Sequence, residues 1–245
     1  MNYIGIDIGS TCAKTVVLNE KKELILEFVQ PTGWSSVDTA EEIRQKLEFA
    51  GINLSNESSH CVATGYGRIS VPYADKTVTE ITCHALGAVH LFQHPDLTVI
   101  DIGGQDTKII QIEQGFVKDF IMNDKCAAGT GRFLEVMANT LSLRPNEMFD
   151  LARLGSDTTI SSMCTVFAES EVIGLIGKGE PKENIAYAVV NSTIRKVAAQ
   201  VSRMNGEMFT FCLTGGLCEC DYIREALSKE LGKDVFSCPD ARYAG

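Results

Sequence analysis

The sequence has 245 residues and a formal net charge of −10, from 22 lysine and arginine residues against 32 aspartate and glutamate residues. This acidic balance offers no basic surface to offset phosphate repulsion, so a nucleic-acid partner is not expected. No run approaches the roughly 20 apolar residues of a membrane-spanning helix, and a strand pattern follows Met1 directly with no secretory signal, so we predict a cytoplasmic protein without membrane association.

The first part of the chain predicts an α/β unit that opens with an antiparallel meander. Three apolar runs separated by a glycine turn and a charged turn indicate consecutive strands. Apolar residues at helical spacing, such as Ile43 and Leu47, predict the helices. The predicted strands are residues 3–8, 15–19, 24–29 and 61–64, and the predicted helices are residues 38–50 and 80–92.

The pattern then restarts. A strand, an Asp-x-Gly turn and two further strands occur at residues 3–29 and again at 97–121, which indicates an internal duplication. We therefore predict two similar α/β lobes, residues 1–94 and 95–245, with a cleft between them. In the second lobe the predicted strands are 97–102, 108–112, 116–121, 209–213 and 235–236, and the predicted helices are 127–141, 145–154, 166–176, 182–204 and 222–231.

Both repeats carry a glycine turn suited to anions. Glycine permits unusual backbone angles and lets backbone N–H groups approach a phosphate closely. An aspartate at the end of a strand can hold Mg²⁺, usually through water. Two such hairpins predict a clamp for nucleotide phosphates, whereas the Walker pattern is absent. The first turn is Asp7-Ile8-Gly9-Ser10-Thr11 with Lys14 behind it, and the second runs from Asp101 to Lys108.

Together with the glycine pair at 215 and 216, these hairpins resemble the actin, Hsp70 and sugar kinase (ASKHA) superfamily. The resemblance implies ATP in the interlobe cleft and Mg²⁺ supported by Asp7 and Asp101. It implies that Thr214, Gly215 and Gly216 lie against adenosine. Phosphate contacts are expected from Gly9, Ser10, Thr11, Gly103, Gly104 and Thr107, with charge added by Lys14 and Lys108.

Nine cysteines, an odd number, argue against a full disulfide framework and favour reduced thiols. Cys126 precedes the predicted helix 127–141, and Cys164 precedes the predicted helix 166–176. A thiolate at a helix N-terminus is stabilised by the helix dipole. In the same stretch Gly129, Thr130 and Gly131 are expected to let backbone or hydroxyl groups approach a nucleotide. By spacing alone, two buried structural cysteines are the favoured interpretation.

Three motifs then narrow the resemblance to one family. They are DIGGQDTK at 101–108, NDKCAAGTGRF at 123–133 and CTVFAESE at 164–171. The chain is similar over nearly its whole length to the activators of 2-hydroxyacyl-CoA dehydratases and to the related ATP-binding subunits of benzoyl-CoA reductase. Members of that family continue beyond the position of Gly245 with a helix rich in small residues.

The resemblance implies a homodimer with one [4Fe–4S] cluster shared between two subunits, each giving Cys126 and Cys164. It implies that ATP is used to deliver one low-potential electron to a partner dehydratase or reductase, with a ferredoxin or flavodoxin as electron donor. Water is the expected phosphate acceptor. The expected catalytic residues are Asp7, Asp101, Gln105 and Asp106.

Other functions remain open at this point. A small-molecule kinase of the same fold, such as an amino-sugar kinase, is the main alternative, and a regulatory ATP-binding module is another. A paralogue with a different redox partner is a further possibility. Cys218 and Cys220 form a Cys-x-Cys pair that suits a metal, although a structural role is the favoured interpretation.

Overall fold

The computed structural model describes residues 1–54, 59–161, 164–206 and 209–245. Its packing divides the chain into two compact units. The first unit comprises Met1–Gly87 together with Tyr243–Gly245, and the second comprises Ala88–Arg242. The two units are described separately below.

The first unit is built on a five-stranded sheet of order β3-β2-β1-β4-β5. β1 is antiparallel to β2 and parallel to β4, and β2 is antiparallel to β3. The strands are β1 (Asn2–Ile8), β2 (Cys12–Leu18), β3 (Leu24–Pro31), β4 (Ser59–Thr64) and β5 (Lys76–Thr77); the helices are α1 (Ser36–Phe49) and α2 (Glu80–Phe92), which continues past the unit boundary.

The second unit repeats this sheet as β10-β9-β6-β7-β8. The strands are β6 (Leu97–Ile102), β7 (Thr107–Glu113), β8 (Phe116–Asn123), β9 (Thr210–Gly215) and β10 (Val235–Phe236). The helices are α3 (Gly131–Thr140), α4 (Pro145–Ala152), α5 (Thr165–Gly177), α6 (Lys182–Val201) and α7 (Asp221–Leu231).

The predicted duplication is confirmed strand for strand. β1 to β5 correspond to β6 to β10 in sheet order and in direction, including the parallel pairs β1–β4 and β6–β9. Sequential antiparallel strands need only short turns, which is why the meander was readable from glycine and charged turns. The fold is therefore the predicted duplicated α/β architecture.

Burial explains how each sheet is held. On β1 the side chains of Ile4, Ile6 and Ile8 are buried in alternation, and they pack in one cluster with Ile43 and Leu47 of α1. All six residues of β6 are buried, as expected for a central strand covered on both faces. The strand ends, where this apolar packing stops, present the polar side chains discussed below.

One predicted element was wrong in a way that matters. The sequence predicted a helix over residues 127–141, but α3 begins at Gly131, with Thr130 in an extended conformation as its N-cap. Gly129 has φ +88°, a left-handed conformation that a helix cannot include. Cys126 therefore does not lie at the start of a helix.

Within the described part of the chain, none of the helices combines the length and apolar character needed to cross a bilayer.

Candidate functional site

The first hairpin places a carboxylate beside an ammonium group at the end of β1. Asp7 lies in register with Lys14 on β2 and with Thr64 on β4. Lys14 Nζ is 3.5 Å from Asp7 Oδ2, and the two side chains are 14% and 12% exposed. Since residues in register share a face of the sheet, these three side chains lie together. The carboxylate is paired, yet solvent still reaches it.

The turn of this hairpin is fixed by backbone hydrogen bonds. Gly9 N–H donates to the Cys12 carbonyl at 3.2 Å. Thr32, the residue directly after β3, stabilises the turn through two hydrogen bonds. Its hydroxyl donates to the Gly9 carbonyl at 2.7 Å, and its N–H donates to the Thr11 carbonyl at 3.0 Å. Within the described residues, the hydroxyls of Ser10 and Thr11 make no hydrogen bond. Those two hydroxyls are thus available at the turn.

The second hairpin repeats the arrangement in a buried setting. Asp101 lies in register with Lys108 on β7 and with Thr214 on β9. Lys108 Nζ is 3.3 Å from Asp101 Oδ2 and 2.7 Å from Asp106 Oδ2, and the Thr214 hydroxyl donates to Asp101 Oδ1 at 2.9 Å. All four residues are buried. The carboxylates of Asp101 and Asp106 therefore share the ammonium of Lys108 in a buried setting.

A threonine followed by a glycine completes each of the two hairpin sites. The sequence analysis did not predict Thr64 and Gly65 as residues of the first site. Gly65 and Gly215 follow Thr64 and Thr214 and have φ of +85° and +84°. A Cβ on Gly215 would lie 2.7 Å from both Asp101 Oδ1 and the Ile102 carbonyl oxygen, and a Cβ on Gly65 would overlap the Asp7 carboxylate. The signal was the repeated Thr-Gly after a parallel strand, which was used only at 214 and 215.

The tip of the second hairpin separates two residues predicted to be catalytic. Gly103 N–H donates to the Asp106 carbonyl at 2.9 Å. The Asp106 side chain is buried over Gly103, where any Cβ would overlap it, and is ion-paired with Lys108. Gln105 is exposed. The structure thus leaves Gln105 accessible and ties Asp106 into the hairpin, and the catalytic roles of both stay predictions.

Helix α3 starts on the second hairpin. Gly131 N–H donates to the Gly103 carbonyl at 2.9 Å, and Arg132 N–H donates to the Gly104 carbonyl at 2.8 Å. The first N–H groups of a helix have no partner within the helix. Here the hairpin carbonyls take two of them, so α3 and the hairpin form one hydrogen-bonded unit. The positive end of α3 faces these carbonyls and begins five residues after Cys126.

The segment 126–130, which we call the Cys126 segment, is held on two sides. Asn123 Nδ2 donates to the carbonyls of Cys126 and Ala128 at 2.8 and 3.2 Å. The Thr107 hydroxyl donates to the Gly129 carbonyl at 2.6 Å, so the second hairpin also stabilises the segment. Because its hydrogen bonds run to these neighbours, the segment forms a turn instead of the first turn of a helix.

Two predicted nucleotide contacts have side-chain partners inside this unit. Thr107 is buried and donates to the Cys126 segment as described, and Thr130 is buried with its hydroxyl donating to the Ala127 carbonyl at 2.6 Å. Their hydroxyls therefore stabilise the turn. Only the backbone groups of Thr107 and Thr130 remain for the predicted nucleotide contact. That contact stays a prediction, as do the contacts predicted for Gly129 and Gly131.

The second cysteine of the proposed pair lies where it was expected. Cys164 is the N-cap residue of α5 and is exposed, whereas Cys126 is half-buried. Glu171 of α5 accepts hydrogen bonds from Ser161, from its N–H at 3.1 Å and from its hydroxyl at 3.2 Å. Ser161 is thus tied to α5. The sequence predicts that Glu171 is a solvated helix charge or a partner contact, and it does not indicate this bond to Ser161.

The remaining cysteines have the properties of packing residues. None of the nine cysteines, all of which lie in the described residues, forms a disulfide bond. Burial raises the pKa of the Cys61 thiol to about 12, and it raises the pKa values of Cys83 and Cys220 as well. Cys218 is buried, and no group of three or more His, Cys, Asp or Glu side chains suited to a metal ion occurs among the described residues. The structural interpretation of the Cys-x-Cys pair stays a prediction.

A groove of about 540 Å³ lies beside the loop predicted to contact adenosine. It is bounded by Gly216 and Leu217 after β9, by Phe149 and Arg153 of α4, and by Tyr222 of α7. The carboxylates of Asp150, Glu219 and Asp221 also line the groove, so its lining is mostly polar and carries both signs of charge. Thr214 itself is buried in β9 and contacts Asp101, so Gly216 is the residue of the predicted trio that lines the groove.

A family model matches this arrangement over residues 4–245, and its description is the BadF/BadG/BcrA/BcrD ATPase family. The chain belongs to the BadF/BadG/BcrA/BcrD ATPase family. Both duplicated hairpins and both cysteine motifs fall inside the matched range, so family membership covers the whole of the candidate site.

Relatives in this ATPase family include the (R)-2-hydroxyglutaryl-CoA dehydratase activating ATPase of Acidaminococcus fermentans. It is 42% identical over 247 residues, covering 99% of this chain and 93% of the relative. A solved activator of the 2-hydroxyisocaproyl-CoA dehydratase from Clostridium difficile, with bound ADPNP, matches with TM-score 0.89 and 33% identity, covering 100% of this chain and 91% of that one.

A more distant likeness confirms the fold class. The glucokinase of the ROK family from Streptomyces griseus matches with TM-score 0.56 and 16% identity, over 100% of this chain and 96% of that one. At this identity the likeness concerns the fold alone. The predicted sugar kinase architecture is thereby confirmed.

We predict that Gly215→Ala destabilises the second unit by about 1–3 kcal/mol, because the new Cβ meets the Asp101 carboxylate at a backbone angle that disfavours alanine. Gly216→Ala is the matched control, since a Cβ there meets nothing within 4 Å. Urea unfolding of both variants measures the difference. Equal unfolding free energies would contradict the packing described for Gly215.

Proposed function

We propose that this chain is an ATP-hydrolysing activator that delivers one low-potential electron to a 2-hydroxyacyl-CoA dehydratase or a related reductase. The observation that carries the proposal is the junction of the second hairpin with the Cys126 segment. Three hydrogen bonds from Thr107, Gly131 and Arg132 join a phosphate-type turn to the chain that holds an accessible cysteine. A nucleotide site and a redox site would share this junction.

The nucleotide half rests on the two hairpins. Asp7 and Asp101 would support Mg²⁺, since each carboxylate lies near the end of a strand that leads into a glycine turn. When bound, Mg²⁺ neutralises phosphate charge. The exposed Gln105 would orient the attacking water, while the hydroxyls of Ser10 and Thr11 would donate to phosphate oxygens. Asp106 would act through Lys108, whose ammonium it holds.

The redox half rests on Cys126 and Cys164, which fit a cluster shared between two copies. Thiolates are the ligands of iron–sulfur clusters, and a [4Fe–4S] cluster takes four. Among the described residues one chain offers no third ligand for such a group, so two copies on a two-fold axis would complete the set. When bound, the cluster supplies one-electron chemistry at low potential. The chain's own task is to present both thiols at the surface.

An exposed apolar face supports the proposed homodimer. Val166, Phe167 and Ile173 of α5 are 66%, 67% and 56% exposed, and the helix begins directly after Cys164. Exposed apolar patches mark protein contacts. A second copy seated on α5 would bury this face and bring the second pair of cysteines to the same place.

The partners follow from the relatives. Three relatives are activators of acyl-CoA dehydratases, and another is a subunit of benzoyl-CoA reductase. These relatives indicate that the electron goes to an acyl-CoA dehydratase or reductase. A small acidic electron carrier such as a ferredoxin or flavodoxin would reduce this chain. An amino-sugar kinase remains the alternative within the fold, but a kinase has no use for a half-buried cysteine in a segment tied to its phosphate hairpin.

We expect Cys126→Ala and Cys164→Ala each to abolish iron binding, because either variant removes two of four ligands from the dimer. Anaerobically purified wild-type protein should hold about four irons per dimer. Cys220→Ala, which removes the rival Cys-x-Cys pair, should keep them. Iron analysis and visible spectra measure the cluster content of each variant. Full iron content in Cys126→Ala or Cys164→Ala would reject the ligand assignment. Loss of iron in Cys220→Ala would favour the Cys-x-Cys pair as the ligands.

Hydrolysis tests the other half. Asp101→Asn and Asp7→Asn should each slow ATP hydrolysis by at least about 100-fold, roughly 2.7 kcal/mol of transition-state stabilisation, while iron content stays normal. Asp119→Asn, on the exposed edge strand β8, is the control with the same chemical change. A wild-type hydrolysis rate in both test variants would mean that the hairpins do not hold the phosphates.

A further inference from the structure

Helix α6 supplies a third support to the Cys126 segment. A Cβ built on Gly129 would lie 2.9 Å from Lys196 Cγ and 3.4 Å from Lys196 Cβ. The methylene stem of Lys196 therefore occupies the space where a side chain at position 129 would be. Gly129 is required twice, by this contact and by its φ of +88°. The lysine stem and the Thr107 hydroxyl hold the same residue.

A cavity of about 200 Å³ lies beside this contact, and both cysteine-bearing parts of the chain line it. Its lining is mainly apolar. It is formed by Ala128 and Gly129 of the Cys126 segment, by Ile160 and Ser161 ahead of Cys164, and by Arg195 and Lys196 of α6. Lys196 is half-buried in this lining, and Arg195 is exposed.

The charge of Lys196 is not neutralised by the described part of the chain. No described carboxylate lies within 4.0 Å of its Nζ, in contrast to Lys14 and Lys108, which are paired with aspartates. Gly129 is three residues from Cys126, so their Cα atoms are at most about 11 Å apart. The Lys196 ammonium stands at the end of a stem that packs against Gly129. It is thus placed for a long-range electrostatic interaction with a negative charge held by Cys126.

We infer that Lys196 is a positioning residue for the Cys126 segment and that its ammonium favours the reduced, more negative state of the proposed cluster. The first part rests on packing alone. The second part rests on the proposed function. A cation close to a redox centre stabilises the added electron and raises the reduction potential.

Two variants separate the stem from the charge. Lys196→Met keeps a stem of similar length and removes the charge, whereas Lys196→Ala removes both. Lys178→Met is the control, because Lys178 caps the far end of α5, about 20 Å along the helix from Cys164, and the change in net charge is the same.

The packing is tested by amide hydrogen exchange in the iron-free protein. Exchange over residues 127–132 should rise at least about tenfold in Lys196→Ala, since lost packing lowers the free energy of local opening, and should be unchanged in Lys196→Met. Unchanged exchange in Lys196→Ala would overturn the positioning role. This readout does not depend on a cluster.

The charge is tested by redox titration of the iron-loaded protein with electron paramagnetic resonance. Lys196→Met should shift the midpoint potential to a more negative value, with iron content unchanged, and Lys178→Met should leave it at the wild-type value. Equal potentials in the two variants would overturn the electrostatic role. Wild-type protein that holds no iron would overturn that role together with the proposed function, leaving the exchange result to decide the positioning role.

Discussion

The donation of two helix N–H groups to a hairpin is the constraint on which the candidate site depends. Gly131 and Arg132, the first residues of α3, bond to the carbonyls of Gly103 and Gly104. A helix must find partners for these groups, and finding them in the hairpin fixes where α3 starts. The chain before it has to turn at Gly129, and Cys126 is carried at the end of that turn. Direct hydrogen bonds therefore join the second hairpin to α3 and to the segment that carries Cys126.

Duplication explains the chemistry of the two hairpins, and divergence explains their different settings. Both units place an aspartate in register with a lysine and a threonine, followed by a glycine with positive φ. At the position of Cys12 in the first hairpin the second has Asp106, which is buried and paired with Lys108. The second hairpin is thus locked by an internal ion pair and by α3, whereas the first keeps free hydroxyls. This difference suits a division of labour in which the second hairpin relays nucleotide state and the first mainly binds phosphate.

The sequence predicted the strands better than the contacts that position the candidate site. Apolar runs bounded by glycine and charged turns specify strands locally, so the duplicated sheet was readable. The start of α3 was not, because Ala127 and Ala128 favour a helix, whereas the turn at Gly129 is held by the hydroxyl of Thr107, which lies 22 residues earlier in the chain. The supporting contacts of Lys196 and Glu171 were missed because they too join residues that are not neighbours in sequence. Nothing in their neighbourhood along the chain marks a residue that supports a loop about 70 or 10 positions away. Thr64 and Gly65 were detectable, since they repeat the pair at 214 and 215.

We propose that the second hairpin and the Cys126 segment move as one hydrogen-bonded unit when a nucleotide binds. The most direct measurement is site-resolved amide exchange at Gly103, Gly104, Gly131 and Arg132 in wild-type protein with ADP and with a non-hydrolysable ATP analogue. A nucleotide can change a conformation only through its different affinity for two states. The account predicts that exchange at Gly131 and Arg132 differs between the two nucleotides, in step with the hairpin amides. Hairpin amides that respond to nucleotide while Gly131 and Arg132 exchange at one constant rate would contradict it.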